Sequence, residues 1–325
     1  VLITLPSGKT AWLIGDPHLG RKFETGVPLH RRGEREKRQF AKFVAELNTP
    51  GVDYNIMVGD LFDHPYVGFG VVVEAAEAVL AAARAHPYTT FIDMAGNHDL
   101  PRNLGVVGAW DAFEQMVNGR LENLRVAREP CWVGDVALFP WQWGISAVDQ
   151  IPAAHIFNKD GWGEDEQIKV AIGHWDLQSY GGDDSHLAPV AELNALGITD
   201  IYSGHYHIEG EVGGVHCTGS LEPYSHGEDP NELIYVTRSL AEVLETPEAW
   251  TDKCVRVVLA EGEELPTDID CMAMTSIRAQ AEATEAEQVN LNAFDWDKVM
   301  TEALADVDPE VRDFIKDRMT WSYDA

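Results

Sequence analysis

The succession of apolar runs in this 325-residue chain predicts an α/β fold, a largely parallel sheet with its chemistry gathered at the carboxyl ends of the strands. Three observations carry that expectation. Short β-branched or aromatic runs alternate with segments of helical period through the first half, the rhythm of β-α-β units. Five short polar clusters each follow a run that reads as a strand, where open α/β sheets place their sites. Each cluster also opens on a glycine, which lets the backbone leave a strand tightly.

Taken in order, Ala11 to Ile14 is the first predicted strand, and Glu34 to Leu47 is a helix with Phe40, Phe43, Val44 and Leu47 on one face. Tyr54 to Val58 is a strand, the Ala-rich stretch Val71 to Ala85 a buried helix, and Thr89 to Met94 a third strand. Between Trp110 and Gly163 the pattern is less regular. Trp110 to Val117 reads as helix, Val136 to Phe139 as a short strand, and the aromatic Pro140-Trp141-Gln142-Trp143 as core rather than a base-stacking platform. The second half resumes with a strand at Lys169 to Ile172, a helix at Val190 to Leu196 and a strand at Ile201 to Tyr202. Glu211 to Ser220, glycine-rich with apolar residues between, predicts a hairpin.

Residues 1–225 therefore form the expected main domain. From 226 to 275 the chain turns acidic and turn-rich, with strands near Leu233 to Val236 and Cys254 to Leu259, and reads as a small appended subdomain. Residues 276–325 read as an Ala/Glu-rich linker and a helical hairpin from Phe294 to Met319 whose apolar face needs a cover, either the main domain or another protein.

The clusters are Gly-Asp-Pro-His-Leu-Gly (15–20), Gly-Asp-Leu-Phe-Asp (59–63), Gly-Asn-His-Asp (96–99), Gly-His (173–174) and Gly-His-Tyr-His (204–207). One Asp-x-His alone is more often a turn aspartate beside a surface or core histidine. Five such clusters in order at strand ends are hard to obtain by accident. Asp16, His18, Asp60, Asn97, His174, His205 and His207 offer the nitrogen and oxygen donors that two adjacent divalent cations need, with one carboxylate shared. Paired cations of this kind supply a nucleophile at neutral pH and neutralise a phosphoryl oxygen during in-line displacement, with no covalent enzyme intermediate.

In these motifs and their order the chain resembles the calcineurin-like metallophosphoesterase superfamily. The resemblance implies a four-layer α-β-β-α sandwich, here with a small C-terminal appendage. It implies one metal on Asp16, His18, Asp60 and His207, and a second on Asp60, Asn97, His174 and His205, with Asp60 bridging. His98 would stand over the substrate phosphate and protonate the leaving oxygen. Asp99 and Asp63 are the candidates to orient it, although Asp99 as a cap on the following turn fits equally well. Imidazole, carboxylate and amide donors suit manganese, iron or zinc, with magnesium also compatible; manganese is the family expectation.

Within the superfamily the chain is most similar to the SbcD-type nuclease subunit of double-strand-break processing complexes and its phage counterparts. The likeness rests on Gly-Asp-Leu-Phe-Asp, on Gly-Asn-His-Asp followed by Pro101, on the long Arg-bearing loop after the first motif, and on Gly219-Ser220-Leu221-Glu222-Pro223. It implies exonuclease action on duplex DNA ends and endonuclease action on single strands or hairpins. It also implies an SbcC-type coiled-coil ATPase as partner, a homodimer, and a role for Phe294 to Met319 in gripping that ATPase. The competing readings are a small-molecule phosphodiesterase or phosphatase of the same superfamily, and a non-catalytic interaction module. The complete ligand set speaks against the module. Protein Ser/Thr phosphatases carry Gly-Asn-His-Glu where this chain has Asp99.

A net charge of −30 argues against a generic nucleic-acid coating protein. Residues 1–50 are the exception, with nine Lys and Arg against five Asp and Glu. Arg21, Lys22, Arg31, Arg32, Arg35, Lys37 and Arg38 follow the first metal motif, where a polyanion would be drawn. A solvated loop leading into an amphipathic helix is the alternative, with Glu34 and Glu36 pairing some of the charge. The candidate DNA contacts are Arg21, Lys22, Arg31, Arg32, His64 and Arg102. Cys131, Cys217, Cys254 and Cys271 have neither zinc nor disulfide spacing, and no run resembles a leader or a membrane span, so a cytoplasmic protein is expected.

Overall fold

In a computed structural model, residues 1–103, 105–134, 136–156, 169–178 and 184–278 are described. The predicted linker and hairpin fall almost wholly outside them, beyond residue 278. Apolar alternation builds the first sheet from β1 (Leu2–Thr4), β2 (Thr10–Ile14), β3 (Tyr54–Met57), β4 (Thr90–Met94) and β5 (Leu124–Ala127), hydrogen-bonded in that order. β1 runs antiparallel to β2 and the remaining pairs are parallel. The helices between them are α1 (Glu34–Leu47), α2 (Phe69–Ala85) and α3 (Ala109–Val117).

The second sheet has the order β10-β11-β9-β8-β7-β6, with β6 (Cys131–Val133), β7 (Val136–Phe139), β8 (Val170–Gly173), β9 (Asp200–Ser203), β10 (Gly210–Val212) and β11 (Val215–Cys217). α4 (Ala147–Ile156) and α5 (Val190–Ala195) belong to this half. A third sheet joins β12 (Tyr235–Ser239), β13 (Cys254–Leu259) and β14 (Ala273–Arg278), with α6 (Leu240–Glu245) against it.

Three apolar clusters define the layers. Phe43, Val72, Val79, Trp110 and Phe113 join α1, α2 and α3 to Met57 and Phe91 on one face of the first sheet. Leu13, Ile56 and Ile92 meet Val136, Leu138 and Ile172 between the two sheets. Ala137, Ala171 and Ile201 pack with Ala147, Ile151 and Leu193 of α4 and α5 on the far face of the second sheet. The result is the α-β-β-α sandwich. Both sheets bury both faces, so their strands are nearly continuous apolar runs.

The predicted helix 34–47 matches α1, but its role is wider than an apolar face. Gln39 Nε2 donates to the carbonyls of Pro17 (2.8 Å) and His18 (3.2 Å), so α1 also braces the first polar cluster. Val1–Ile277 is one compact unit. Tyr224 and Glu228, on either side of the composition shift at 225, both contact the first half of the chain: the Tyr224 hydroxyl donates to the Asp16 and Pro17 carbonyls, and Glu228 Oε2 lies 3.3 Å from His207 Nδ1. Cys217, Cys254 and Cys271 are buried free thiols. Among the described residues no helix is long and apolar enough to cross a membrane.

Candidate metal centre

Asp16 follows β2, Asp60 follows β3, Asn97 follows β4, His174 follows β8 and His205 follows β9. All five strands are parallel members of their sheets, so their carboxyl ends deliver these residues to a common rim. Steric need explains the preceding glycines. A Cβ on Gly59, which sits at φ +111°, would lie 2.3 Å from His174 Nδ1, and one on Gly96 would lie 2.2 Å from Asp60 Oδ1. Any side chain there would push the motifs apart.

Among the described residues, three donor groups are close enough to hold an ion: Asp16, His18 and His207; His18, Asp60 and His98; Asp60, His174 and His205. Asp60 belongs to two of them and lies between. Its Oδ2 is 3.6 Å from His18 Nε2 and 3.3 Å from His174 Nε2. Asn97 Oδ1 stands 2.9 Å from both His174 Nε2 and His205 Nδ1. His207 Nε2 is 3.1 Å from His18 Nε2 and 3.7 Å from Asp16 Oδ2. Asp16, His18, Asp60 and His174 are at most 1% exposed, whereas Asn97, His98, His205 and His207 are partly open. The cluster thus has a closed floor and an accessible mouth.

These residues fit divalent cations. Asp16 Oδ1 and His18 Nδ1 are buried without a hydrogen-bond partner among the described residues. His174 Nδ1 is 2.9 Å from the Val58 carbonyl. A neutral ring donating there turns a bare Nε2 toward the oxygens of Asp60 and Asn97, a set of converging lone pairs that a cation satisfies. Without one, a proton takes its place: burial pulls the His174 imidazole down, but the Asp60 carboxylate overrides it and holds it up at about 10. Burial pushes Asp16 up despite His174. For Asp60 burial acts in the same sense, but His174 and His18 prevail and hold it well below the usual carboxylate range. Burial, opposed by Asp60, drives His18 down to about 3, keeping its ring neutral for ligation.

His98 is oriented differently from expectation. Its Nδ1 lies 2.6 Å from the main-chain carbonyl of Asp63, and its backbone N–H donates to Asp60 Oδ1 at 2.8 Å. The Asp63 carboxylate instead takes Arg21 Nη1 at 3.2 Å. Asp99 does not reach the ring either. It is fully buried and accepts from the N–H groups of Gly96 (2.8 Å), Phe62 (2.8 Å) and Leu61 (3.3 Å), tying the second and third motifs together. A short carboxylate one residue beyond His98 finds three backbone donors closer than the imidazole.

Two contacts escaped sequence reading. Glu228 Oε2 is 3.3 Å from His207 Nδ1, and Asp176 Oδ1 is 2.8 Å from His205 Nε2. Each carboxylate holds the far nitrogen of a candidate ligand, which fixes the ring's orientation. Asp176 could have been found as the acid two residues after His174. Glu228 carried no signal, because it lies in the acidic run assigned to the appendage. Trp141 is core, as expected, and is stacked on His186 with ring centres 3.9 Å apart.

The basic segment needs correction. Arg35 is buried and bonded to Glu222 at 2.5 Å, with Arg38 on the same carboxylate at 3.1 Å. Arg31 is held by Glu34, the Thr251 carbonyl and Asp270. These cations are consumed by folding: Arg35 and Arg38 fasten α1 to Glu222, and Arg31 ties the turn before α1 to Thr251 and Asp270, which flank strands of the third sheet. Arg21 and Lys22 stay beside the cluster, and Arg32 and His64 are exposed. Arg102 is placed over the Trp143 ring at 5.0 Å.

The fold and this rim define a metal-dependent phosphoesterase. The calcineurin-like phosphoesterase profile matches residues 9–209, and the chain belongs to that family of phosphoester hydrolases. Among solved structures the chain is similar to the nuclease MPE of Pseudomonas putida. That likeness is 16% identical, covers 64% of this chain and 73% of that one, and has a TM-score of 0.26, so it carries no argument about substrate. A search of curated proteins gives no match.

Proposed function

We propose that this chain is a metal-dependent nuclease that cleaves DNA phosphodiester bonds, at duplex ends and in single strands or hairpins, as the nuclease subunit of an SbcCD-like repair complex. The observation that carries the hydrolytic part is the convergence of seven donor residues from both sheets on one rim, with Asp60 between the two groups. Asp16, His18, Asp60 and His207 would hold one divalent ion, and Asp60, Asn97, His174 and His205 the other; manganese is the expected metal. Such ions supply a nucleophile at neutral pH and charge neutralisation at the phosphoryl group. His98, with Nδ1 committed to the Asp63 carbonyl, keeps Nε2 for proton delivery to the leaving oxygen. Asp60 fixes the backbone of that residue, so acid and ligands share one frame.

The choice of DNA is supported by the Gly-Asp-Leu-Phe-Asp and Gly-Ser-Leu-Glu segments and by Arg21 and Lys22 beside the cluster. A coiled-coil ATPase of the SbcC type would supply the positive surface that a chain of charge −30 lacks. The test is manganese-dependent cleavage of end-labelled duplex DNA, with and without such an ATPase, beside a chromogenic phosphodiester. Cleavage of DNA is expected. Turnover of the chromogenic ester with DNA left intact in both arms would refute the nuclease reading and favour a small-molecule hydrolase.

A further inference from the structure

A cavity of about 280 Å3 lies between the loop after the first motif and the third sheet. Among the described residues its lining carries Arg21, Lys22, Arg35 and Arg256 against one acid, Glu24. The chain as a whole has 54 acidic residues to 24 Lys and Arg, so this charge ratio is the reverse of its surroundings. A concave site of one sign with low-dielectric walls focuses the potential on a counter-charge.

Two of the four cations are committed to the fold, Arg21 to Asp63 and Arg35 to Glu222. Lys22 and Arg256 have no ion-pair partner among the described residues. Arg35 is 3% exposed, and its Nε has no hydrogen-bond partner among the described residues. The walls are fixed, since the Met274 N–H donates to the Gly26 carbonyl at 2.8 Å and Arg31 reaches across to the Thr251 carbonyl.

The cavity adjoins the metal-ligand cluster. Tyr224 lines it, and the same ring stands 5.3 Å from His18 and 5.7 Å from His207. Its hydroxyl lies 2.8 Å from the carbonyls of Asp16 and Pro17, and Arg21 lies over its face. Tyr224 is thus a shared buried wall between the cavity that Lys22 and Arg256 line and the His18 and His207 rings of the cluster.

We propose that this cavity is a second phosphate subsite, which takes the phosphate of the unit neighbouring the scissile one through Lys22 and Arg256. The inference rests on the nuclease reading for its substrate class and adds to it a preference for esters with at least two phosphates. Arginine offers a planar fork to phosphate oxygens and lysine a point charge, which together suit a diester that must be held and then released.

The test is binding of a fluorescent phosphorothioate oligothymidylate to the full chain in manganese, across a salt series, for wild type and for Lys22→Ala with Arg256→Ala. The expected result is an affinity loss of at least about 10-fold in the double variant. The slope of log K on log salt should flatten by about 1.4, two phosphate contacts at about 0.7 each on a single strand. Arg256→Lys should restore most of that slope. Turnover of bis(p-nitrophenyl) phosphate, followed in parallel, reports the nuclease chemistry separately. Charge-dependent binding by a protein that cleaves neither substrate sinks the nuclease reading and keeps the subsite. Wild-type binding that is undetectable, or a double variant with unchanged affinity and slope, overturns the subsite whether or not the protein is a nuclease.

Discussion

Replacing Glu228 with alanine isolates a contribution to metal binding from a residue that touches no metal. His207 turns Nε2 toward Asp16 and His18 and Nδ1 toward Glu228, 3.3 Å away. Burial opposes protonation of this imidazole, but the Glu228 bond and Asp16 outweigh it and raise its pKa, so the carboxylate makes the ring more basic as well as orienting it. Loss of such a partner typically costs 10- to 100-fold in metal affinity, about 1.4 to 2.7 kcal/mol. Both side chains are 22% exposed, so water takes over part of the carboxylate's role, and the lower end, about 10-fold, is expected. Calorimetric titration of metal-free protein with manganese measures it. Glu228 also accepts from the Tyr224 N–H at Oε2 (2.9 Å) and from the Ser225 hydroxyl at Oε1 (3.1 Å); glutamine's single carbonyl oxygen keeps the first and its amide can donate to Ser225 Oγ in place of the second, so Glu228→Gln should lose less than Glu228→Ala. Equal affinity for wild type and the alanine variant would refute the orienting role. So would equal losses in both variants tracked by an equal drop in the melting temperature of the metal-free protein.

The remaining predictions address the acid, a buried carboxyl and the brace behind the rim. His98→Asn should lower phosphodiester turnover by about 10²- to 10⁴-fold while manganese affinity measured by calorimetry holds, because the ring acts on the leaving group; retained turnover contradicts this. Asp93 is 2% exposed with Oδ2 unbonded, and burial pushes its pKa up to about 8. The unfolded chain releases this proton near pH 4 and the folded one near 8, so between those values the folded state binds more protons and its stability falls as pH rises. That cost is on the order of 4 kcal/mol at pH 7, and Asp93→Asn should flatten the urea-denaturation stability profile from pH 5 to 8; a parallel profile refutes the assignment. Glu222→Ala strands the buried Arg35 guanidinium and should destabilise by about 3–5 kcal/mol in the same assay, against under 1 kcal/mol for an exposed pair.

The centre was legible because its chemistry is written in short contiguous motifs, each at a strand end that periodicity also marks. Asp16, Asp60, Asn97, His174 and His205 could be placed at one rim from strand order alone. What stayed hidden depends on contacts distant in sequence. The bond between Glu228 and His207 spans the position where composition shifts, and charge density gives no hint of it. Likewise, Arg35 reads as a free cation in a basic run, and only Glu222, far along the chain, removes it from solution. Short strands such as β5 and β6 were missed because three or four residues give too little period to register.

Strain in the backbone shows how the rim is kept ready. His18, Asp60 and His205 have φ of 45°, 50° and 71°, the left-handed region that non-glycine residues occupy at a cost of about 1–3 kcal/mol each. All three sit at the tips of metal motifs, and each is held by bonds that a relaxed conformation would break. The His18 N–H donates to the Asp60 carbonyl at 2.9 Å, joining two of the strained residues directly. The His205 N–H donates to Asp16 Oδ2 at 2.8 Å, which joins the second sheet to the first. Gln39 and Tyr224 take the carbonyls on either side of the first turn, and Asp99 takes three amides around the second and third. The cost of organising the donors is therefore met when the sandwich folds, from the packing of both sheets, and an arriving cation has little left to order. On this account a mutation that loosens Gln39 or Asp99 should weaken metal binding without removing a single donor, because it releases strain that the ligand geometry depends on.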